Sequence, residues 1–466
     1  MRSKVLFALL LIALITRLVM LDARPMDHDE SIHAYLSYEL LKFKSYRYDP
    51  AYHGPFLYFS TALLFYIFGD SEFVSRLLPV LFSIIGIVSA YSFKRWIGTG
   101  AYIFSFIMIF STSILYYSRY LRNDLILVSS FLVVLYCYLR FLETGKGKFA
   151  YICALFLSIM FTSKENSYIY FFIFASFFLL YALKNQGLTF VKEIFNAKNL
   201  KILLISSIIF FTIYISLYSA FFSDLDGVKR AVLGSISHWL RMHEINDHAK
   251  PWYYYPLLLF QYEFLSLALA LASIPMFYKR IRDEKITTIE LFAIYWVVLT
   301  IIIYQTLSHK VPWLLVHLVT PLAFFGSIYT GGKLQKLNFK FAFLIAATAT
   351  ILMASYITYY NYNDADEDLI YIQIQPSTLD LVKIIKEKIK TQKGAIFEPD
   401  HDYWPLPWYL RNVNIDYPSN GDLSKYDFIV TSEKFVDYCE SFGFKVVGKY
   451  ESRPWVYLFL MEKVKN

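Results

Sequence analysis

Asp27, His28, Asp29, Glu30 and His33 lie within eight positions of one another near the start of this chain. A carboxylate placed beside an imidazole can take a proton from a hydroxyl or amine. The same donors can hold a divalent cation that stabilises a phosphate leaving group. Further clusters follow: Arg119, Arg122 and Asp124 in YYSRYLRND, and Lys164 with Glu165 in TSKEN. His238, His243, His248, Lys250 and Trp252 occupy a longer loop, and His309 and Lys310 come later. Arginine grips phosphate oxygens in a fork and lysine as a point charge, so the set suits transfer of a group from a phosphate carrier. Each cluster also has an ordinary reading. Arg119 and Arg122 can be interfacial anchors, Lys164–Glu165 a local ion pair, and the histidines plain loop residues. Trp252–Tyr255 can be an aromatic belt before it is a sugar-stacking platform.

These clusters are separated by long apolar runs. The 466 residues are 57% hydrophobic and 20% aromatic, with only 18% charged. That composition excludes an ordinary soluble protein and indicates a polytopic α-helical membrane protein. The net charge of +8 does not point to nucleic acid, because the basic residues sit between apolar runs as topology signals. Cys137, Cys153 and Cys439 form no convincing pair and no metal spacing.

About eleven spans are predicted: Val5–Leu21, Phe73–Phe93, Ala101–Tyr117, Leu125–Leu142, Phe149–Thr162, Tyr168–Leu183, Ile202–Phe222, Pro256–Tyr278, Ile286–Thr306, Leu314–Tyr329 and Phe341–Tyr360. Lys and Arg concentrate in alternate loops, among them Lys184–Lys201, which puts the N-terminus inside and all the titratable clusters outside. Ionisable residues at span ends are costly unless paired or hydrated, so gathering them on one side implies a polar cavity there. Met26–Asp70 is expected outside. Asp29 or Ser31 caps a helix there, with Ile32, Tyr35, Leu36 and Leu40 facing the membrane and Asp29, Glu30, His33 and Ser37 facing a cavity. Gly54–Phe68 is expected as a second interfacial or re-entrant helix. Residues 1–360 thus form the membrane domain, with outer loops 24–72 and 223–255. Residues 361–466 change composition and read as a small extracytoplasmic α/β domain. It has a helix from Ser377, strands at Ala395–Phe397, Phe428–Val430, Lys445–Val447 and Val456–Leu460, and a helix near Glu433–Phe442.

HDESIHAYLSYELL, YRYDPAYHGPFLYF, YYSRYLRNDL, SKENSYI, HAKPWYYYPLLL, HKVPWLLVHLVTPL and YWPLPWYLR carry a resemblance that spans nearly the whole chain. The sequence resembles the polyprenyl-phosphate-sugar-dependent glycosyltransferases of the C superfamily. These are the family 39-like enzymes of the protein O-mannosyltransferase and aminoarabinose transferase kind. The nearer branch is that of archaeal and bacterial flippase-activity-associated membrane proteins. The resemblance implies a GT-C fold in a multi-pass cell-membrane protein, and a hexosyl- or pentosyltransferase. Its donor would be a polyprenyl (dolichyl) phosphate sugar and its acceptor a glycan, lipid or protein.

By motif match, Asp29 serves as base or positioner with Glu30 beside it. Arg122 and Lys164 contact the carrier phosphate, and Arg119, Glu165, His248 and Trp252 join the substrate site. Asp29, Asp124 and His53 are the implied ligands of a divalent Mg, Mn or Zn ion. The YHGPF turn departs from the HPPL-like turn of the mannosyltransferases, so protein O-mannosylation does not carry over. The alternative reading is a lipid-linked oligosaccharide flippase, or a flippase-associated protein without transferase activity. A third is a non-catalytic scaffold.

Overall fold

In the computed structural model, residues 2–187, 196–244, 248–364, 366–371 and 373–464 are described. The centre of the predicted Lys184–Lys201 loop lies outside them. Each of the eleven apolar runs is helical. Among the described residues, eight helices are long and apolar enough to cross a membrane, from Glu72–Ile97 to Leu337–Tyr359. Phe56–Phe68, Gly100–Phe110 and Gly147–Ser163 are apolar but shorter. The Pro312–Gln335 segment is the most enclosed, and Leu315, Val316, Val319, Phe324 and Phe325 pack at its centre against Phe131, Trp296 and Leu132. The flanking helices keep one side bare, with Leu204, Phe211, Leu271 and Leu352 all exposed. Outward apolar side chains of this kind are what a hydrocarbon solvent requires.

The predicted span Ala101–Tyr117 is broken. Gly100–Phe110 stops at Ser111, and Thr112–Tyr117 restarts with the Ser111 hydroxyl accepting from Ile114 N. Two buried charges supply the groups that the break leaves without helical partners. Arg17 donates to the Met108 and Ile109 carbonyls, both at 2.8 Å, and to Ser83 Oγ. Glu263 Oε1 accepts from Ser113 N at 2.8 Å and from the hydroxyls of Ser111 and Ser113. A cation at a helix C-terminus and an anion at an N-terminus each match the helix dipole. Arg17 is therefore a cap.

The stretch after the first helix folds as His28–Phe43, followed by Phe56–Phe68. The helix cap is Asp27, not Asp29 or Ser31: its carboxylate accepts from Glu30 N at 2.7 Å, and Glu30 returns a bond to Asp27 N. Glu30, Ser31, His33 and Ser37 are buried against the bundle, whereas Ile32, Tyr35, Leu36 and Leu40 are only half-buried. Polar side chains can be buried here because each finds a partner.

The C-terminal region carries a sheet of four strands: β1 (Gly394–Ile396), β2 (Phe428–Ser432), β3 (Phe444–Arg453) and β4 (Val456–Lys463). The order is β1-β2-β4-β3, with β1 and β2 parallel and the other pairs antiparallel. The Ser377–Lys388 helix covers one face through Leu381, Val382 and Ile385; Leu423, Cys439 and Phe444 cover the other. Ser377 does not cap that helix, since its hydroxyl donates to Glu451 O. The strap Trp404–Asn412 ties the sheet to the membrane region. Trp408 Nε1 donates to Glu72, Arg411 pairs with Asp70 at 2.8 Å, and the Tyr38 hydroxyl donates to Asn412.

Candidate functional site

The first acid pair separates into two roles. Glu30 is fully buried. Its Oε1 accepts from Arg76 Nε at 3.0 Å and Leu121 N at 2.9 Å, and its Oε2 lies 2.9 Å from Arg76 and 3.0 Å from Arg24. Every lone pair is engaged, so the expected catalytic part for Glu30 is not met: it locks the loop to the bundle. Asp29, one position earlier, is turned about 100° around the helix. Its carboxylate is 39% exposed and accepts from Arg122 Nη1 at 2.6 Å. Burial works to raise its pKa, but Arg122 and His28 outweigh burial and hold it well below the usual carboxylate range. Asp27 beside it is pushed up to about 8 by burial and by the charges of Asp29 and Glu30.

The two loop arginines also part. Arg119 donates to the carbonyls of Arg17, Val19 and Met20 at 2.7–2.8 Å, closing the end of the first helix. It is therefore unavailable to a phosphate. Arg122 lies flat over Trp313, its guanidinium 3.5 Å from the ring centroid, and its Nε has no hydrogen-bond partner. Asp124 sits behind it. Asp124 Oδ1 accepts from Lys164 Nζ at 2.7 Å and from His317 Nε2 at 3.0 Å; Oδ2 is 3.8 Å from Arg122 Nε and otherwise unpartnered. His317 in turn faces the Tyr170 hydroxyl at 2.8 Å through Nδ1 and stacks on Tyr304. With Nε2–H given to the carboxylate, Nδ1 accepts from tyrosine and the imidazole stays neutral. His317 lies within the HKVPWLLVHLVTPL stretch, which by itself assigns it no role. A lone histidine inside an apolar run was the available signal, since such a group is expensive unless paired.

Lys164 opens onto a cavity of about 560 Å³. Its walls are mainly apolar, from Ile169, Ile236, Leu240, Met242, Leu307 and Leu314, with Trp239 and Trp313. At its polar rim Glu165 accepts from His53 Nδ1 at 2.9 Å, and His53 stacks on Trp239. Glu165 and Lys164 do not pair with each other. Gly54 next to His53 packs so tightly on Thr162 that a Cβ would stand 2.1 Å from its carbonyl oxygen. His309 lines the cavity, and His248 reaches the Tyr371 hydroxyl at 2.6 Å. Trp252 is 76% exposed and does not line this cavity. The side chain of His243 lies outside the described residues.

The implied metal set does not assemble. Asp29 is taken by Arg122, Asp124 by Lys164 and His317, and His53 by Glu165. Among the described residues no three His, Cys, Asp or Glu side chains are arranged to hold a metal ion. Cations already balance these acids, so the residues do not fit a divalent ion.

Residues 52–214 match the family described as dolichyl-phosphate-mannose-protein mannosyltransferase. No curated protein sequence matches the chain. ArnT from Cupriavidus metallidurans, solved bound to undecaprenyl phosphate, superposes over 98% of both chains with a TM-score of 0.68 at 14% identity. The same protein in its apo state gives 0.67. The S. cerevisiae protein O-mannosyltransferase complex bound to the sugar donor gives 0.39 over 48% of this chain and 35% of that one, at 15% identity. The chain accordingly shares the fold of ArnT along nearly its whole length, its residues 52–214 match the mannosyltransferase family model, and its described residues include eight helices long and apolar enough to cross a membrane.

Proposed function

We propose that this protein transfers a sugar from a polyprenyl-phosphate donor to an acceptor on the outer face of the membrane. The observation that carries the reading is a line of four buried or half-buried charges, Lys164–Asp124–Arg122–Asp29, running from the apolar cavity to a solvent-open carboxylate. The cavity suits a prenyl chain, and its one lysine suits the phosphate at the chain's end. Trp313 forms cavity wall and cation–π floor at once, so the phosphate would reach Lys164 and Arg122 together.

The chemistry follows from the charges. The acceptor hydroxyl oxygen attacks the anomeric carbon as the bond from that carbon to the phosphate oxygen breaks. Negative charge gathers on the departing phosphate, where Lys164 and Arg122 lower its energy. The hydroxyl proton passes to Asp29. In the resting site Arg122 makes Asp29 a poor base. An arriving phosphate competes for the same guanidinium, so donor binding raises the proton affinity of Asp29 when a base is needed. Direct displacement inverts the anomeric configuration.

The test is donor turnover by the purified full chain with a synthetic polyprenyl-phosphate sugar, wild type against Asp29→Asn. Loss of turnover in a folded variant supports the transferase. Lipid scrambling that persists in both, with no turnover in either, supports a flippase or an accessory instead.

A further inference from the structure

Four guanidinium groups, those of Arg17, Arg24, Arg76 and Arg119, lie buried where the first helix ends. Glu30 reaches two of them, Arg24 and Arg76. Among the described residues Arg17 and Arg119 pair with no carboxylate: Arg17 donates to the Met108 and Ile109 carbonyls, and Arg119 to those of Arg17, Val19 and Met20. The exposed Asp22 is within electrostatic reach of Arg119 but forms no ion pair with it. Helix-end carbonyls offset part of this charge. A buried cation without a counter-charge remains unfavourable.

Arg24 and Arg119 share the wall of a small void of about 10 Å³ with Thr358, Tyr359 and Tyr362. The two arginines touch, Arg24 Nη2 donating to Arg119 O at 3.1 Å. Met20 and Ala23, also in the wall, are exposed, so the void communicates with solvent. The acceptors here are already occupied. Met20 O takes Arg119 Nη2 at 2.7 Å, Leu21 O takes Arg76 Nη1 at 2.7 Å, and Tyr362 O takes the Tyr116 hydroxyl at 3.2 Å. The donors are not. Thr358 Oγ1 is buried and has no hydrogen-bond partner, although a helical threonine can return its hydroxyl to the carbonyl four residues back. Among the described residues neither Arg24 Nε nor Arg119 Nε makes a hydrogen bond.

A wall with donors left over and positive charge in excess suits a guest that only accepts and is itself negative. Water matches the size of the void but brings donor protons of its own. Phosphate, sulfate and carboxylates are too large for it; a halide is not. We infer that this void is a chloride site, with the ion held by Arg24, Arg119 and Thr358. Bound there, chloride ties the end of the Leu337–Tyr359 helix to the end of the first helix and to the loop that carries Arg122 and Asp124.

Thermal unfolding of the full chain in detergent tests it, with sodium chloride exchanged for sodium gluconate at constant ionic strength. Chloride raises the melting temperature of the wild type saturably, by about 1–3 °C at roughly ten times its dissociation constant. Thr358→Val is nearly isosteric and removes the hydroxyl. It loses most of that increment while unfolding in gluconate at or above the wild-type temperature. Chlorine NMR gives a reading independent of unfolding: the wild type broadens the chloride line, added bromide reverses the broadening, and Thr358→Val broadens it less. Absence of either the increment or the broadening overturns the inference and leaves water as the guest. So does an increment equal in the two proteins, which is the behaviour of ions acting on surface charge.

Discussion

Lys164 Nζ and Asp124 Oδ1 stand 2.7 Å apart with both side chains almost wholly enclosed, yet they come from the ends of different helices, 40 positions apart in sequence. Arg122 Nε reaches the other carboxylate oxygen from 3.8 Å. One buried anion therefore holds together the two cations assigned to the leaving phosphate. Unpairing a buried charge costs more than the pair contributes.

That asymmetry predicts the behaviour of the pair. Asp124→Asn leaves Lys164 enclosed without its counter-charge and destabilises the protein by roughly 3–5 kcal/mol. Lys164→Met alone costs less, because His317 still donates to Asp124. The double variant is more stable than the sum of the two, with a coupling of about 0.5–3 kcal/mol. Thermal unfolding of the four proteins in one detergent measures it. Strict additivity is the contrary result.

Glu30 and Asp29 are adjacent in sequence, and their substitutions separate stability from turnover. Glu30→Gln breaks contacts to Arg24 and Arg76 and lowers the melting temperature sharply. Asp29→Asn lowers donor turnover by about 10²–10⁴-fold, the usual range for a lost general base, with little loss of stability. A Glu30→Gln protein as stable as wild type contradicts the scaffold role.

Arg119→Ala and Arg122→Ala divide in the same way. Arg119 closes the first helix by donating to the carbonyls of Arg17, Val19 and Met20, so its loss reads out as melting temperature. Arg122→Ala weakens binding of a polyprenyl phosphate that carries no sugar, and the weakening is greatest at low salt. Equal effects of the two on lipid-phosphate affinity are the outcome to look for against this assignment.

A pH dependence follows from His33. The Tyr58 hydroxyl donates to Tyr52 O, so His33 Nδ1–H donates to Tyr58, and the ring is neutral and enclosed. Burial pulls its pKa down from 6.5 to about 3, with Arg122 adding to the shift. Unfolded protein therefore binds a proton below pH 6.5 that the folded protein refuses. Stability falls as pH drops through that window, by up to roughly 1.4 kcal/mol per pH unit. His33→Gln flattens the difference between pH 7 and pH 5; an unchanged slope in the variant counts against a buried neutral ring.

Gly54→Ala is a structural probe of the cavity rim. Its Cβ overlaps the Thr162 carbonyl, backbone against backbone, so one loop must shift. The expected cost is about 1–3 kcal/mol or more, with weakened lipid-phosphate binding as His53 and Glu165 move. Melting temperature and donor affinity check the two effects together.

The apolar runs and the strands were legible because their signals are local. Long hydrophobic segments between basic loops need no knowledge of neighbours to become helices, and Phe428–Val430 or Val456–Leu460 read as strands on their own composition. The charged clusters were legible as clusters for the same reason. What each charge does was not. Asp29 and Glu30 differ by one step around a helix, and only the docking of that helix on Arg76 and Arg24 makes one a clamp and leaves the other open. Arg119 and Arg122 share a short loop, and the fold turns one toward the end of the first helix and the other onto Trp313. His317 and Glu263 lay silent inside apolar stretches until distant segments supplied Asp124 and the broken helix at Ser111. Trp252 sits beside its histidines in sequence, yet the fold leaves it largely exposed and outside the cavity that His309 lines. Helix formation depends on neighbours in sequence, whereas a buried charge takes its role from whichever partner the packing brings within about 3 Å.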